Sequence, residues 1–197
     1  PGRPDAGIVV GAARTGRMRI VGGRHRNRRI DPPKGIEARP TTDFAREGLF
    51  NILQHSTALE DIRVLDLFAG TGGISAEFLS RGAAQVISVE QDARLFAHLQ
   101  RLARELNEPG WSLVRADVFL YLRHTTGPYD IVFADPPFHL AGTETLPALV
   151  RDGGLLAPDG LFILEHPRGI DLAGDPWFRK RRTYGSVHFS FFSPTPP

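Results

Sequence analysis

Arg63-Val64-Leu65-Asp66-Leu67-Phe68-Ala69-Gly70-Thr71-Gly72-Gly73 is the stretch of the chain that decides its fold. Its first half is a β-branched and aliphatic run that predicts a buried strand, and its second half is a glycine-rich turn. Apolar residues at helical spacing follow, from Ile74 to Leu79. This order predicts an α/β sheet that binds a ligand at the turn, because glycines allow close approach and the helix amino terminus offers free amides.

Strands and helices alternate along the rest of the chain, which is typical of a parallel sheet with helices on both faces. The predicted strands are 85–90, 111–115, 130–134 and 161–165, and the predicted helices are 93–106, 118–123 and 145–150. Two last runs, 179–184 and 187–192, are expected to form an antiparallel pair. The sequence therefore predicts a doubly wound α/β fold, with a mostly parallel seven-stranded sheet and an antiparallel carboxy-terminal strand.

Three predicted strands end at an acidic residue, and open α/β sheets place their ligands at these strand ends. Glu90 ends the second strand, 20 positions beyond Gly70, where a carboxylate typically binds a ribose diol. Asp117 follows the third strand and Asp135 follows the fourth. These carboxylates mark the candidate site.

Asp135-Pro136-Pro137-Phe138 is the candidate catalytic segment. Two successive prolines remove two backbone donors and fix two φ angles, so the loop is rigid and not helical. We expect the Asp135 carboxylate and the Pro136 carbonyl to accept hydrogen bonds from an exocyclic amine while Phe138 stacks on its ring. The alternative is a tight turn after a strand, followed by a core aromatic residue.

The glycine-rich turn fits either a dinucleotide or S-adenosylmethionine. Ser75 stands where the nicotinamide fingerprint has its third glycine, and Asp66 precedes the turn, where it can order the amino acid end of a cofactor. A dinucleotide also leaves Asp117 and the proline loop unexplained, so these details favour S-adenosylmethionine. The candidate cofactor-binding residues are Asp66, Phe68, Ala69, Gly70, Thr71, Gly72, Glu90, Gln91, Asp117 and Val118.

Positive charge is concentrated at the front of the chain. Ten of the 24 Lys and Arg residues lie in the first 40 positions, with three of the 22 acidic residues. Such a segment predicts a polyanion-binding arm, and a solvated basic tail is the alternative. We expect a flexible extension at 1–16, a basic RNA-binding hairpin and helix at 17–58, and a catalytic domain at 59–197. The candidate RNA contacts are Arg24, Arg26, Arg28, Arg29, Arg39, Thr41 and Arg46.

Composition excludes other classes of protein. The chain has no cysteine and its seven histidines show no ligand-like spacing, so we expect no metal site. No apolar run approaches the roughly 18 residues of a membrane span, and no signal-type segment is present, so we expect a cytoplasmic protein. No exposed apolar stripe is evident, which favours a monomer.

From Met18 to Phe192 the chain resembles the bacterial RsmD-type 16S rRNA guanine-N2 methyltransferases, which have the class I S-adenosylmethionine fold. The residues that carry the resemblance are Met18-Arg19-Ile20-Val21-Gly22-Gly23, Arg39-Pro40-Thr41-Thr42-Asp43, Arg46-Glu47, Phe50-Asn51, Asp66-Leu67-Phe68-Ala69-Gly70-Thr71-Gly72, Glu90 and Asp135-Pro136-Pro137-Phe138. The first two segments are specific to this family, whereas the cofactor motifs are shared widely among other proteins. Residues 1–16 fall outside the family pattern.

The resemblance implies a reaction and a role for each motif. The product would be N2-methylguanine in the helix 31 loop of small-subunit rRNA, with naked rRNA or an assembling 30S particle as the substrate. The implied roles are cofactor packing for Gly70 and Gly72, ribose binding for Glu90, adenine contact for Asp117 and Val118, and guanine binding for Asp135, Pro136 and Phe138.

Three alternatives remain open from the sequence. Adenine-N6 and protein-glutamine methyltransferases share the proline loop but usually have Asn in place of Asp135. A non-catalytic RNA-binding protein could retain the same fold, although the intact set of motifs counts against it. An NAD-binding enzyme is the third.

Overall fold

A computed structural model describes residues 18–33, 35 and 43–195. Its strands are β1 Met18–Arg19, β2 Arg29–Ile30, β3 Arg63–Leu67, β4 Gln85–Val89, β5 Trp111–Val114, β6 Tyr129–Ala134, β7 Leu156–Pro167, β8 Phe178–Tyr184 and β9 Val187–Phe192. Its α-helices are α1 Asp43–Ser56, α2 Gly73–Ser80, α3 Ala93–Leu106, α4 Val118–Leu122 and α5 Leu146–Asp152. The predicted extension at 1–16, together with Arg39 and Thr41, lies outside the described residues.

Seven strands form one sheet in the order β5-β4-β3-β6-β7-β9-β8. Strands β3 to β7 pair in parallel, and β9 pairs antiparallel with both β7 and β8. Alternate residues of the central strands enter two separate cores: Val64 packs with α1, α2 and α3, whereas Leu65 packs with α4 and α5. The predicted doubly wound fold with an antiparallel carboxy-terminal strand is confirmed.

Strand β7 is longer than the sequence predicts. The apolar run covers only 161–165, because Pro158, Asp159 and Gly160 are typical of a turn. In the structure Leu156 already pairs with Tyr129, and the register then shifts before Leu161 pairs with Ile131. The strand therefore absorbs the turn-like residues as a bulge, which pairing with a neighbouring strand allows and which the local sequence does not reveal.

The short hairpin of β1 and β2 is fixed to the end of α2. Glu77 of α2 is fully buried, and its carboxylate accepts hydrogen bonds from the backbone N–H groups of Val21 and Gly22. At the carboxyl end of α2, the Ser80 carbonyl accepts from the N–H of Arg24 (2.8 Å) and the Ser80 hydroxyl donates to the Gly22 carbonyl (2.5 Å). The hairpin loop is thus held against the end of α2 that points away from the glycine-rich turn.

Arg46 of α1 lies in the interior, with 2% of its surface exposed. Its Nη2 donates to the Arg19 carbonyl at 2.6 Å, and its Nε lies 3.6 Å from Oε1 of Glu77. This guanidinium therefore joins α1 to the hairpin and to α2. Its burial also removes it from the candidate RNA contacts.

Candidate active site

A cavity of about 830 Å³ opens at the carboxyl ends of β3, β4, β6 and β7. This is the edge at which open α/β sheets bind their ligands. It brings together nine of the residues that the sequence predicts for the site, namely Phe68, Gly70, Glu90, Gln91, Val118, Asp135, Pro136, Pro137 and Phe138. Candidate cofactor residues and the candidate catalytic loop therefore face one space.

Five other predicted cofactor residues do not line this cavity: Asp66, Ala69, Thr71, Gly72 and Asp117. Gly72 has φ 79°, and a Cβ at this position would lie 2.6 Å from Cδ2 of Leu99. This glycine therefore lets the turn pack onto α3. Asp117 caps α4, and its Oδ1 accepts from the N–H of Leu120 at 2.9 Å.

The turn after β3 has an unusual backbone. Phe68 has φ 64°, in the left-handed region that bulky side chains rarely adopt, and Gly70 has φ 56°. The N–H of Ala69 donates to the Val89 carbonyl at 2.9 Å, which ties the turn to β4. Such conformations persist where the surrounding structure holds them, and they cluster at ligand sites.

Glu90 is held in a fixed position at the end of β4. Its Oε2 accepts from the N–H of Gly70 at 2.9 Å, and its Oε1 accepts from the N–H of Asp92 at 2.7 Å. Each carboxylate oxygen can accept a second hydrogen bond. Glu90 therefore retains acceptor capacity toward the cavity that it lines, as a ribose diol requires.

Asp66 lies beneath the turn in a buried polar network. Its carboxylate accepts from the Ser75 hydroxyl, which lies 2.6 Å from the Ser88 hydroxyl, and Ser88 accepts from Nε1 of Trp111 at 2.7 Å. Burial raises the pKa of Asp66 to about 7. The hydrogen bond from Ser75 opposes this rise, and the charge of Asp135 adds to it. Asp66 thus supports the turn from below instead of lining the cavity.

Thr71, at the centre of the turn, is held through its backbone. Nε2 of the buried His98 donates to the Thr71 carbonyl at 3.2 Å. Burial lowers the pKa of His98, and the charge of Arg101, whose Nη2 lies 3.0 Å from His98 Nδ1, acts in the same direction. A neutral imidazole therefore fastens the turn to α3.

The proline loop combines rigidity with partial access. Pro136 is buried, Asp135 and Phe138 are half-buried, and Pro137 is exposed. The N–H of Asp135 lies 3.5 Å from the Leu67 carbonyl, so the carboxylate is carried at the junction of β6 and β3. The loop presents an acid and an aromatic ring to the same cavity.

Six lining residues were not predicted from the sequence: Val89, Asp92, Leu95, Glu165, Ser186 and Val187. Glu165 is 2% exposed and lies near the end of β7, so the strand-end rule applied to Glu90 could have found it. Ser186 and Val187 reach the cavity because β9 folds back antiparallel beside β7, where Val187 pairs with Pro167. No local signal in the sequence indicates that contact.

Two of the hairpin arginines are engaged with α3 and the residues after it. Arg24 forms an ion pair with Glu108, and Nη2 of Arg28 donates to the Glu105 carbonyl at 2.8 Å. Arg26 and Arg29 are exposed. Arg24 and Arg28 are exposed as well, so all four hairpin arginines are accessible to solvent.

Comparisons with known proteins show the family to which the chain belongs. A family model described as conserved hypothetical protein 95 matches residues 18–193. Ribosomal RNA small subunit methyltransferase D of Escherichia coli is 36% identical over 181 residues, which is 90% of each chain. The chain belongs to this RsmD family. The RsmD-type resemblance inferred from the sequence is therefore confirmed.

Solved structures confirm the class I fold of this RsmD-family chain. A candidate methyltransferase of E. coli, yhhF, has a TM-score of 0.80 at 32% identity, covering 91% of this chain and 100% of that chain. A 16S rRNA N2 G1207 methyltransferase of Thermus thermophilus, in complex with S-adenosylmethionine and guanosine, has a TM-score of 0.63 at 25% identity, covering 82% of this chain and 46% of that chain. The predicted cofactor class, S-adenosylmethionine, is confirmed at the level of the family.

The cavity of this RsmD-family chain fits such a cofactor. Glu90 offers acceptors for a diol, Gly70 lets the backbone come close, and Val89, Leu95 and Val118 supply apolar surface for a flat base. In the described part of the chain, no group of His, Asp or Glu is arranged to hold a metal ion. No helix within the described ranges has the length and apolar character needed to cross a membrane.

Proposed function

We propose that this chain methylates the exocyclic N2 of a guanine in small-subunit rRNA, with S-adenosylmethionine as the methyl donor. The observation that carries the proposal is the shared cavity, in which Glu90 and Gly70 face the Asp135 to Phe138 loop. The names of the relatives, which act on small-subunit rRNA or on a 16S rRNA guanine N2, support the substrate. The helix 31 loop is the target that the resemblance implies.

Cofactor binding is assigned to the half of the cavity near β3 and β4. Glu90 binds the ribose hydroxyls, the turn at Gly70 lies against the cofactor, and Val118 packs on its adenine. When bound, S-adenosylmethionine supplies an electrophilic methyl group on a sulfonium. Asp66 acts indirectly, since its bond to Ser75 holds the turn to α2.

Guanine binding is assigned to the proline loop. The lone pair of an aromatic amine is delocalised into its ring, so N2 is a weak nucleophile. Acceptors on its N–H bonds, the Asp135 carboxylate and the Pro136 carbonyl, rotate the amine and increase its electron density, while Phe138 stacks on the ring. The N–C bond then forms as the C–S bond breaks, in line, and positioning with electrostatic stabilisation accounts for most of the acceleration.

Proton release needs no strong base. After methyl transfer the nitrogen is positively charged and acidic, so it gives up a proton to a nearby acceptor or to water.

The target guanine must be unstacked before it enters the cavity, either because it lies in a loop or because it is flipped out. An rRNA substrate, naked or in an assembling 30S particle, also implies that the protein works in the cytoplasm, and we expect it to act as a monomer.

The test replaces Asp135 with Ala. Turnover should fall at least about 100-fold, because loss of one polar contact to the reacting centre typically costs that much. Cofactor affinity, measured by calorimetry with S-adenosylmethionine, should stay nearly unchanged, because Asp135 contacts the base. Asp159→Ala, which removes an exposed carboxylate from β7, is the matched control and should alter neither quantity. Equal loss of turnover and of cofactor affinity in Asp135→Ala would contradict the assignment of Asp135 to guanine binding.

A further inference from the structure

An exposed aromatic side chain stands at the start of α1. Phe44 is 69% exposed, the larger of the two values found for big apolar side chains in the described residues. Its ring centroid lies 6.0 Å from that of Tyr184, with the planes at 73°. Tyr184 packs in turn on the buried Phe189, at 5.9 Å, so the ring next to Phe44 is firmly supported. The pair offers an aromatic platform, Phe44 with Tyr184, to solvent.

The platform borders a groove of about 770 Å³ between α1 and β8. Glu47 and Asn51 of α1 line it, with Lys180 on the opposite wall. A carboxylate accepts hydrogen bonds and an amide both donates and accepts, which are the groups that read the edge of a nucleobase. The groove therefore combines a stacking surface with polar groups.

Strand β8 gives this groove a basic wall. The strand is at the edge of the sheet and carries four successive basic residues, 179–182. Lys180 and Arg182 pair with Phe191 and Phe189 of β9, which places them on the same face as Tyr184. Arg182 is exposed, and Lys180 is half-buried with its Nζ 5.3 Å from the centroid of the Phe191 ring. Basic side chains beside aromatic rings are the combination that binds single-stranded nucleic acid, through phosphate contacts and base stacking.

The groove and the candidate active site share a wall. Tyr184 lines the groove and Val187 lines the cavity, and the two are cross-strand partners on either side of the β8–β9 turn. Directly opposed residues of antiparallel strands have Cβ atoms about 4.5–5.5 Å apart. When an RNA strand places one nucleotide in the cavity, the adjacent nucleotide of the same RNA strand is therefore within reach of the platform.

We propose that the Phe44–Tyr184 platform stacks a base that flanks the target guanine, while Lys180 and Arg182 contact the adjoining phosphates. This inference rests on the proposed function, since it names a further part of the RNA that the same site binds. The basic wall favours RNA over a ribosomal protein as the occupant. Unstacking the flanking base onto Phe44 also helps to expose the target base.

The test measures binding of an RNA hairpin that carries the helix 31 loop, with 2-aminopurine placed in turn on each side of the target guanine. Phe44→Ala should weaken binding by about 5- to 150-fold, the range for loss of one base–aromatic stack. It should also raise KM and abolish the fluorescence change of one labelled position. Phe44→Trp should restore binding, because it keeps a flat ring. Leu120→Ala removes the other exposed large apolar side chain and should leave RNA binding unchanged.

Two results would overturn the inference. If Phe44→Ala bound the RNA as the wild type does, the platform would have no role in RNA binding. If it impaired methylation of 30S particles but not of naked RNA, the platform would contact a ribosomal protein. The proposed function fails separately, when the wild-type protein yields no N2-methylguanosine, and the RNA-binding measurements remain informative in that case because they involve no methyl transfer.

Discussion

At the scale of single residues, two carboxylates in this molecule have opposite surroundings. Asp135 lies at the rim of the cavity, half-buried, where a substrate can meet it. Asp66 lies below the turn with 1% of its surface exposed; its carboxylate accepts from the Ser75 hydroxyl, which in turn bonds to the Ser88 hydroxyl. Asp135 is therefore accessible from the cavity, whereas Asp66 supports the glycine-rich turn from below.

The raised pKa of Asp66 predicts a pH dependence of stability. The folded-state pKa of about 7 lies above the ordinary value of 3.8, so between about pH 4 and pH 7 the folded protein keeps a proton that the unfolded chain has released. The free energy of unfolding should therefore fall as pH rises through this window. Asp66→Asn should remove most of that fall and should be the more stable protein at pH 8. Urea unfolding at a series of pH values measures both effects, and parallel curves for the two proteins would contradict the expectation.

Individual site residues were predictable from the sequence where a general rule relates residue type to position in the fold. Glu90 and Asp135 follow strands, and the structure brings both into one cavity. The prediction failed at Arg46, because a long charged side chain on an apolar helix is usually solvated. Here its burial is compensated by the Arg19 carbonyl and by the carboxylate of Glu77, its ion-pair partner on α2. That partner is 31 positions away, and nothing in the local pattern of α1 reveals it.

At the scale of elements, Glu77 is a buried contact between the hairpin and α2. Its carboxylate is fully buried, accepts from the N–H groups of Val21 and Gly22, and pairs with Arg81 at 3.2 Å. An unpaired backbone N–H or guanidinium in the interior is costly. Glu77 thus binds two backbone groups of the hairpin from a helix that directly follows the glycine-rich turn.

Glu77→Ala should destabilise the protein by roughly 3–5 kcal/mol, the usual cost of removing one partner from a buried charged pair. The exposed Glu105, which forms an i,i+4 pair with Arg101 at 3.7 Å, provides the control. Glu105→Ala should change the free energy of unfolding by less than about 1 kcal/mol. Urea unfolding followed by circular dichroism measures both, and equal losses in the two variants would contradict a special role for Glu77.

Strand and helix boundaries were predictable where apolar periodicity is continuous. The helix predicted at 93–106 is α3 with the same bounds, because Leu99, Leu102 and Leu106 keep one buried stripe. Strand β7 was predicted too short because its first residues have turn-like chemistry and are paired only through β6. Local sequence determines a helix more fully than it determines a strand whose hydrogen bonds lie on other strands.

At the scale of the whole molecule, the basic hairpin loop and the cavity lie at different ends of the sheet. The loop contacts Ser80 at the carboxyl end of α2, whereas the glycine-rich turn precedes the amino end of the same helix. Eight residues of α-helix span about 12 Å. Phosphate contacts by the loop would therefore involve RNA at some distance from the target guanine, which suits a large folded substrate.

Replacing Arg26 and Arg29 together with Ala should weaken RNA binding and flatten its salt dependence. Each lost phosphate contact reduces the steepness of the plot of log K against log salt concentration by about 0.7–0.9. Arg104 and Arg123 are exposed arginines elsewhere on the surface, and replacing them with Ala removes the same charge as a control. Filter binding between 50 and 200 mM salt measures the slopes, and an unchanged slope in the Arg26 and Arg29 variant would indicate a merely solvated loop.

The central claim is the reaction itself, and one measurement tests it most directly. Labelled S-adenosylmethionine is incubated with the protein and with small-subunit rRNA or 30S particles that lack the modification, and the RNA is digested to nucleosides. We expect the label in N2-methylguanosine. Label in N6-methyladenosine or in protein would keep the fold and cofactor but contradict the substrate, and no transfer to any acceptor would contradict the enzymatic assignment.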